Sequence, residues 1–221
     1  MKSFFLSVVL CFAPFLLHSN LSFDQLVEKT YGNTVEVVGV EKPKGWFNNN
    51  EGNSYYIQGF FLNEEGMILT CKDFVEGHGG LIVRWIDPKG HSHEEPATIV
   101  AVHPTVNVAI LMIDAPKMSV YPHNPLVYEP FTIGSNVFMS SGNISQNENF
   151  PMMGRVLNTF KNGNVREAMI AIPNLLGGRG SPIFNADGSI IGVQIGSYIY
   201  RNFVSALPLL FLENWINETL K

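Results

Sequence analysis

Residues 178–192 read GRGSPIFNADGSIIG, and this stretch decides the fold of the chain. Its centre, Asn185-Ala186-Asp187-Gly188, is typical of a hairpin loop, because the closing glycine readily adopts a positive φ. The apolar run at residues 190–195 follows directly and predicts a β-strand. Glycines also flank Arg179, which indicates tightly turned backbone there. We interpret the stretch as a glycine-rich loop that leads into a β-hairpin.

Short apolar runs separated by turns extend outward from this hairpin along most of the chain. Runs of about four to eight residues between Gly, Pro and Asn predict many short antiparallel strands, in a sandwich or a barrel. They include residues 35–40, 55–62, 67–70, 81–86, 98–102, 108–113, 136–140, 155–160, 168–172, 190–195 and 202–206. A capping box at Ser22 and Gln25 predicts a helix over about 23–30. An apolar stripe predicts a second helix over 208–220. The predicted order is a helix, two sets of about six strands, and a helix.

Composition and charge exclude several classes of protein. The 221 residues suffice for one large domain or two packed halves. The formal net charge of −5 disfavours nucleic-acid binding through phosphate neutralisation. Two cysteines cannot form a disulfide scaffold, and the even spread of Gly, aromatic and apolar residues excludes collagen-like, coiled-coil and disordered chains.

The N-terminus has the pattern of a secretory signal peptide. Lys2 precedes an apolar run from Phe4 to Leu17, and Ser19 offers a cleavage point. The run is short for a membrane span, although a retained anchor is the alternative. We therefore predict a signal peptide over 1–19, export to the periplasm or the extracellular space, and no stable membrane span after its removal. Loss of Lys2 makes the charge −6 and leaves Cys71 as the sole cysteine, expected to be buried.

Four motifs occur in chain order with compatible spacing. Residues 59–70 fit the strand pair G-F-x-x-x-x-x-G-x-I-L-T, and residues 107–113 read NVAILMI beside the pattern D-L-A-V-L-K-I. Residues 178–192 parallel N-S-G-G-P-L-x-N-x-x-G-x-x-I-G, and residues 203–208 echo a late F-A-I-P segment. Over residues 20–217 the chain thus resembles the trypsin-like protease domain of the HtrA/Deg type. The resemblance implies an all-β, chymotrypsin-like double β-barrel with short N-terminal and C-terminal helices.

The resemblance also implies that the catalytic triad is lost. In the family's order, Asp73 stands at the position of the general-base histidine, Asn107 at that of the aspartate, and Arg179 at that of the nucleophilic serine. Serine hydrolysis needs a nucleophile and a base whose pKa is near neutrality. The protonated guanidinium of Arg179 is not a nucleophile. A carboxyl group such as that of Asp73, which ionises at about pH 4, is a poor base at neutral pH. We expect no catalytic residue at these positions, which makes the chain a pseudoprotease homologue.

The residue types at these three positions suggest a closed polar network. If the fold places them as in the family, Arg179 and Asp73 face each other, with Asn107 behind them. The alternative is that the charged side chains simply point into solvent. A shifted active site is a further alternative, with Ser181 as the fallback nucleophile and His78 as the fallback base. Against it, Ser181 is more simply read as the replacement of a loop glycine.

Two other groups of residues are weaker candidates. Gly177 and Gly178 retain the flexibility of an oxyanion loop, although a structural turn explains them equally well. His91 and His93 lie on one face of a predicted strand and form a weak metal-binding candidate. Such a pair of histidines more commonly lies at the solvent-exposed rim of a hairpin. We expect no metal and no cofactor.

The sequence favours a binding protein over an enzyme. We expect one domain over 20–221, with a crossover between two barrel halves near 120–132 and no PDZ domain after it. We expect a peptide or protein partner in the former substrate cleft, with strand addition as one mode of binding. The alternatives are a divergent serine endopeptidase that uses Ser181 and a purely structural barrel. The sequence does not predict the oligomeric state.

Overall fold

A computed structural model describes residues 21–40, 55–87, 89–113, 121–141, 144, 150–173, 177–198 and 202–221. The predicted signal peptide over 1–19 lies outside the described residues. Within them, the chain forms two closed antiparallel barrels that follow one another in sequence.

The first barrel has the strand order β1-β2-β3-β6-β5-β4. Its six described strands are β1 (Thr34–Val40), β2 (Tyr55–Phe61), β3 (Met67–Thr70), β4 (Gly80–Ile86), β5 (Ser92–Val102) and β6 (Ala109–Ile113). The ring closes because β1 pairs with both β2 and β4, so that Val37 lies opposite Ile57 on one side and Val83 on the other. Closure leaves neither β1 nor β4 as a free edge strand.

The second barrel repeats this architecture, with the order β10-β11-β12-β9-β8-β7. Its six described strands are β7 (Asn136–Ser141), β8 (Phe150–Asn162), β9 (Val165–Ala171), β10 (Pro182–Phe184), β11 (Ile190–Tyr198) and β12 (Phe203–Pro208). The connection from the first barrel runs between Ile113 and Asn136. The segment expected to cross between the halves, near 120–132, falls inside this connection.

Short helices complete the fold: α1 (Phe23–Thr30), α2 (Lys72–Val75), a 3-10 turn (Leu209–Phe211) and α3 (Glu213–Thr219). The predicted capping box is formed, since the Gln25 N–H donates to Ser22 Oγ at 3.3 Å and the Ser22 N–H donates to Gln25 Oε1 at 2.9 Å. None of the described helices is long and apolar enough to cross a membrane.

In the described part of the chain, three buried apolar clusters form the core of the protein. One fills the first barrel around Trp85 and another fills the second around Ile183. The third joins Phe60 of the first barrel to Phe184 of the second and extends beneath the terminal helices, where Ile216 is fully buried. This shared core fixes the two barrels against each other, so that residues on their facing ends keep a defined separation.

The predicted double β-barrel with short terminal helices is therefore confirmed. The runs read from the sequence missed one strand, β10, because it has only three residues. They also shortened β5, which begins with the four polar residues Ser92–Glu95, and β8, in which Pro151 and Gly154 interrupt the first residues.

Candidate functional site

Arg179 and Asp73 meet between the two barrels. Asp73 lies on α2, directly after β3 of the first barrel, and Arg179 lies in the loop that precedes β10 of the second. Arg179 Nη2 lies 2.6 Å from Asp73 Oδ1 and 2.5 Å from Oδ2. The ion pair hypothesised from the sequence is thus formed, but one guanidinium nitrogen serves both oxygens in place of a two-nitrogen fork.

Each group of this ion pair favours the ionised form of the other. Partial burial raises the pKa of Asp73, but the hydrogen bond and the charge of Arg179 outweigh it and hold that pKa below its usual value. Burial likewise lowers the pKa of Arg179, while the bond to Asp73 raises it further above its ordinary value. Both groups are ionised at neutral pH, so neither supplies a base or a nucleophile.

Asn107 completes the network through the backbone. Its Oδ1 accepts the N–H of Asp73 at 2.9 Å. Asn107 precedes β6, which pairs with β3, so the sheet brings it to the start of α2. Its amide oxygen therefore secures the helix that carries Asp73.

The loop that carries Arg179 is attached to both barrels. Gln58 of β2 donates its N–H to the Arg179 carbonyl at 2.8 Å, and Gly180 donates its N–H to the carbonyl of Gln194 on β11 at 2.7 Å. Gly180 has φ +88°, and a Cβ there would lie 1.9 Å from the Gln58 carbonyl oxygen. Only glycine fits this close backbone approach, which is how the sequence brings Arg179 towards Asp73.

Cys71 lies fully buried beside this network, as the sequence predicted. Its Sγ is 3.6 Å from the Gln194 carbonyl oxygen. Burial, only partly offset by the Arg179 charge, raises the pKa of the thiol to about 12. The thiol is therefore protonated at neutral pH and is not a nucleophile.

The structure does not bring the fallback pair Ser181 and His78 together. Ser181 is fully buried, and its Oγ has no hydrogen-bond partner in the described part of the chain. His78 donates from Nδ1 to the Phe74 carbonyl at 2.7 Å, and its ring packs on Phe74 with centroids 4.4 Å apart. Among the described residues, no hydrogen bond joins the two side chains.

The two glycines before Arg179 shape a turn. Gly178 accepts the Ser181 N–H on its carbonyl at 3.1 Å, which directs that oxygen into the loop. Gly177 has φ +76° and lies against the ring of Tyr56, 2.5 Å from the position of an added Cβ. These contacts show that Gly177 and Gly178 form a structural turn. A role of this turn as an oxyanion loop stays a prediction.

His91 and His93 both face the carboxylate of Asp87. Asp87 Oδ2 lies 3.1 Å from His91 Nδ1 and 3.0 Å from His93 Nε2, while its Oδ1 accepts the N–H groups of Lys89 and His91. Within the described ranges, no three His, Cys, Asp or Glu side chains are arranged to hold a metal ion. The contacts indicate a hydrogen-bonded hairpin rim.

Sequence reasoning missed His103, which shapes the turn that carries Asn107. Its Nδ1 accepts the N–H groups of Thr105 at 3.3 Å and Val106 at 3.2 Å, while its carbonyl accepts from Lys72 Nζ at 3.2 Å. Burial, followed by the charge of Lys72, lowers the pKa of His103. The residues that His103 bonds lie only two and three positions further along the chain, so this turn could have been predicted from the sequence. The contact with Lys72 depends on the folded barrel.

The chain matches a known protein family. The profile of the trypsin-like peptidase domain matches residues 58–193, which is more than half of the chain. The matched region contains Asp73, Asn107 and Arg179. No curated protein matches the chain significantly.

Solved structures of HtrA and Deg proteases share the fold. Deg5 superposes with a TM-score of 0.69 at 20% identity, over 86% of this chain and 89% of that one. An HtrA-type protease, AlgW S227A with a tripeptide, gives 0.71 at 17% identity, over 91% and 64%. The Rv3671c protease of M. tuberculosis in its active form gives 0.69 at 17% identity, over 87% and 82%. At these identities the similarity establishes the HtrA-type trypsin-like fold alone.

Proposed function

Because this chain belongs to the trypsin-like peptidase domain family, we propose that it is a pseudoprotease that binds a peptide or protein partner in the cleft between its barrels. The observation that carries the proposal is the contact of Arg179 with Asp73. In the order of the family motifs, these residues stand where the nucleophile and its base belong. An ion pair there leaves no hydroxyl and no base of near-neutral pKa.

The loop contacts support a retained but altered cleft. The Arg179 loop is held by backbone hydrogen bonds to Gln58 and Gln194, so its course does not depend on a catalytic hydroxyl. Partly exposed aromatic side chains lie beside the ion pair: Phe74 follows Asp73, and Tyr56 packs on Gly177. Aromatic side chains around a fixed charge pair give a surface suited to a peptide.

A structural neighbour supports a peptide as the class of ligand. The AlgW variant with the same fold was solved with a tripeptide. For this chain we propose an extended peptide segment in the corresponding cleft. We also propose that the protein acts after export, because residues 1–19 have the charge and hydropathy pattern of a signal peptide.

Loss of catalysis is tested with a fluorophosphonate probe and a casein digestion assay on purified protein. The expected result is no labelling and no digestion by the wild type. Labelling that Ser181→Ala abolishes would overturn the proposal, because it would identify Ser181 as a nucleophile. Circular dichroism of both proteins confirms that the fold is retained.

Partner binding is tested by pull-down from an extract of the source cell, comparing wild type with Arg179→Ala. A cleft-bound partner is retained by the wild type and by Arg166→Ala, an exposed arginine in the second barrel that serves as the matched control. We expect Arg179→Ala to change the amount of partner captured. Equal capture by all three proteins would place the partner elsewhere and contradict the cleft assignment.

A further inference from the structure

Three buried polar side chains of the second barrel have side-chain atoms without a hydrogen-bond partner. Ser141 and Gln194 are each 1% exposed, and Ser181 is 0% exposed. In the described part of the chain, no partner is present for Ser141 Oγ, Ser181 Oγ or either amide atom of Gln194. Leaving such atoms unsatisfied is costly, so their grouping in one place needs a physical explanation.

The strand register brings these residues to one end of the barrel. Ile183 of β10 lies opposite Met139 of β7 in the last pair of that ladder, and Ser181 and Ser141 each lie two residues beyond it. Pro182 lies opposite Val193 of β11, and the Gln194 N–H donates to the Ser181 carbonyl at 2.9 Å. Ser181 therefore lies beside Gln194, and the segments that carry Ser181 and Ser141 leave the same end of the β7–β10 ladder.

All three side chains face the interior of the barrel. Met139 and Ile183 belong to its buried core, and residues two apart on a strand share a face. Ser141 and Ser181 therefore point inward as well. Gln194 lies opposite Ala206, which also belongs to that core. Because Ala206 is small, the layer that contains Gln194 is not filled by a large apolar side chain.

The unpaired hydroxyls favour a bridging molecule over direct contact. Side chains directly opposite each other have Cβ atoms about 4.5–5.5 Å apart, a separation at which two serine hydroxyls can bond directly. Ser141 Oγ and Ser181 Oγ nevertheless have no partner among the described residues, and one water with two bonds of about 2.8 Å suits them. Buried waters typically make about three hydrogen bonds to otherwise unsatisfied groups, and this layer offers four such atoms.

We propose that the second barrel binds ordered water through Ser141, Ser181 and Gln194, and that this water supports the loop that carries Arg179. The backbone links the two features directly. Gly180 donates its N–H to the Gln194 carbonyl, and Ser181 donates its N–H to Gly178 within the loop. The water layer thus lies beneath the Arg179 loop. This inference goes beyond peptide binding and does not depend on it.

Two measurements on the wild type test the water site. A high-resolution crystal structure is expected to show at least one water bonded to two or more of the three side chains. Water ¹⁷O relaxation dispersion is expected to detect the same molecule as long-lived. Direct bonds among the three side chains with no water between them would overturn the proposal, and so would xenon uptake at this position, which marks a dry cavity.

Variants then test the support of the loop. Gln194→Met keeps an unbranched side chain but removes both amide atoms, so we expect fewer long-lived waters and faster amide hydrogen exchange at Gly180. Ser197→Ala, on the same strand but outside this layer, is expected to change neither quantity. An unchanged water count and unchanged exchange in Gln194→Met would contradict the inference. If Gln194→Met fails to fold, the proposal is tested by the wild-type water measurements and by the same two quantities measured in Ser181→Ala.

Discussion

Arg179 Nη2, in the loop before β10, lies within 2.6 Å of both carboxylate oxygens of Asp73 on α2. One nitrogen serves the whole carboxylate, while the Nε of the same guanidinium is buried without a partner in the described residues. The arrangement fixes the distance between α2 and the Arg179 loop. It also pairs the two opposite charges with each other.

The ion pair is expected to contribute little to stability. The two side chains are 35% and 51% exposed, and solvent screens such pairs to about 0.2–1 kcal/mol. A double-mutant cycle of Arg179→Ala and Asp73→Ala in urea unfolding should give a coupling energy in that range. The coupling should shrink as salt is added. A coupling of several kcal/mol that salt leaves unchanged would contradict this reading.

The same pair gives a defined response to acid. The pKa of Asp73 is lower in the folded protein than in the unfolded chain, where it is about 3.9. Its contribution to the free energy of unfolding is therefore complete above about pH 4 and is lost as the pH falls through the folded value. The difference in unfolding free energy between wild type and Asp73→Asn, measured across this range, should narrow on acidification. A difference independent of pH would contradict the assignment.

Gly180 is expected to tolerate no side chain. It has φ +88°, and an added Cβ would lie 1.9 Å from the Gln58 carbonyl oxygen. Gly180→Ala should lower the free energy of unfolding by about 3 kcal/mol or more, since backbone strain and displacement of the loop add together. Gly90→Ala is the matched control, because Gly90 has φ +85° and nothing within 4 Å of an added Cβ. Its expected cost is about 1–2 kcal/mol, and equal losses in the two variants would refute the argument from close approach.

Cys71 should resist alkylation in the folded protein. Its side chain is fully buried and its thiol pKa is raised to about 12, so almost no thiolate is present near neutrality. Iodoacetamide at mildly alkaline pH should leave Cys71 unmodified until urea unfolds the chain, as measured by peptide mass spectrometry. Rapid modification of the native protein at this position would show that the thiol is accessible.

His103 should make stability depend on pH in the weakly acidic range. Its Nδ1 accepts two backbone N–H groups, so it is unprotonated, and burial lowers its pKa below the ordinary value of 6.5. Its contribution to stability is present above about pH 6.5 and is lost as the pH falls through the folded value. His103→Asn offers an acceptor that suits the same turn. The free energy of unfolding of this variant should depend less on pH below about pH 6.5, and an unchanged profile would exclude His103 as the source.

Much of the fold could be predicted from local patterns in the sequence. The hairpin at 185–188 and the capping box of Ser22 depend on neighbours within a few residues, so propensity and turn chemistry sufficed to predict them. The strand β10 is absent from the apolar runs because its three residues carry too little periodicity, and only the predicted hairpin implied it; its bounds are defined by pairing with β7 and β11. The site could be predicted in part. Motif order identified Asp73, Asn107 and Arg179, but it did not predict that one nitrogen of Arg179 would bond both oxygens of Asp73.

The two barrels and the residue types at the three triad-like positions could be predicted from the linear chain, because strand periodicity and motif order are local properties. The contacts of those residues follow from the folded chain alone. Arg179 and Asp73 are separated by 106 positions, and their contact follows from the packed core between the barrels and from the close approach of Gly180 to Gln58. The buried group of Ser141, Ser181 and Gln194 could not be predicted from the sequence either, because its members come from β7, from the residue before β10 and from β11, which only the folded barrel brings together.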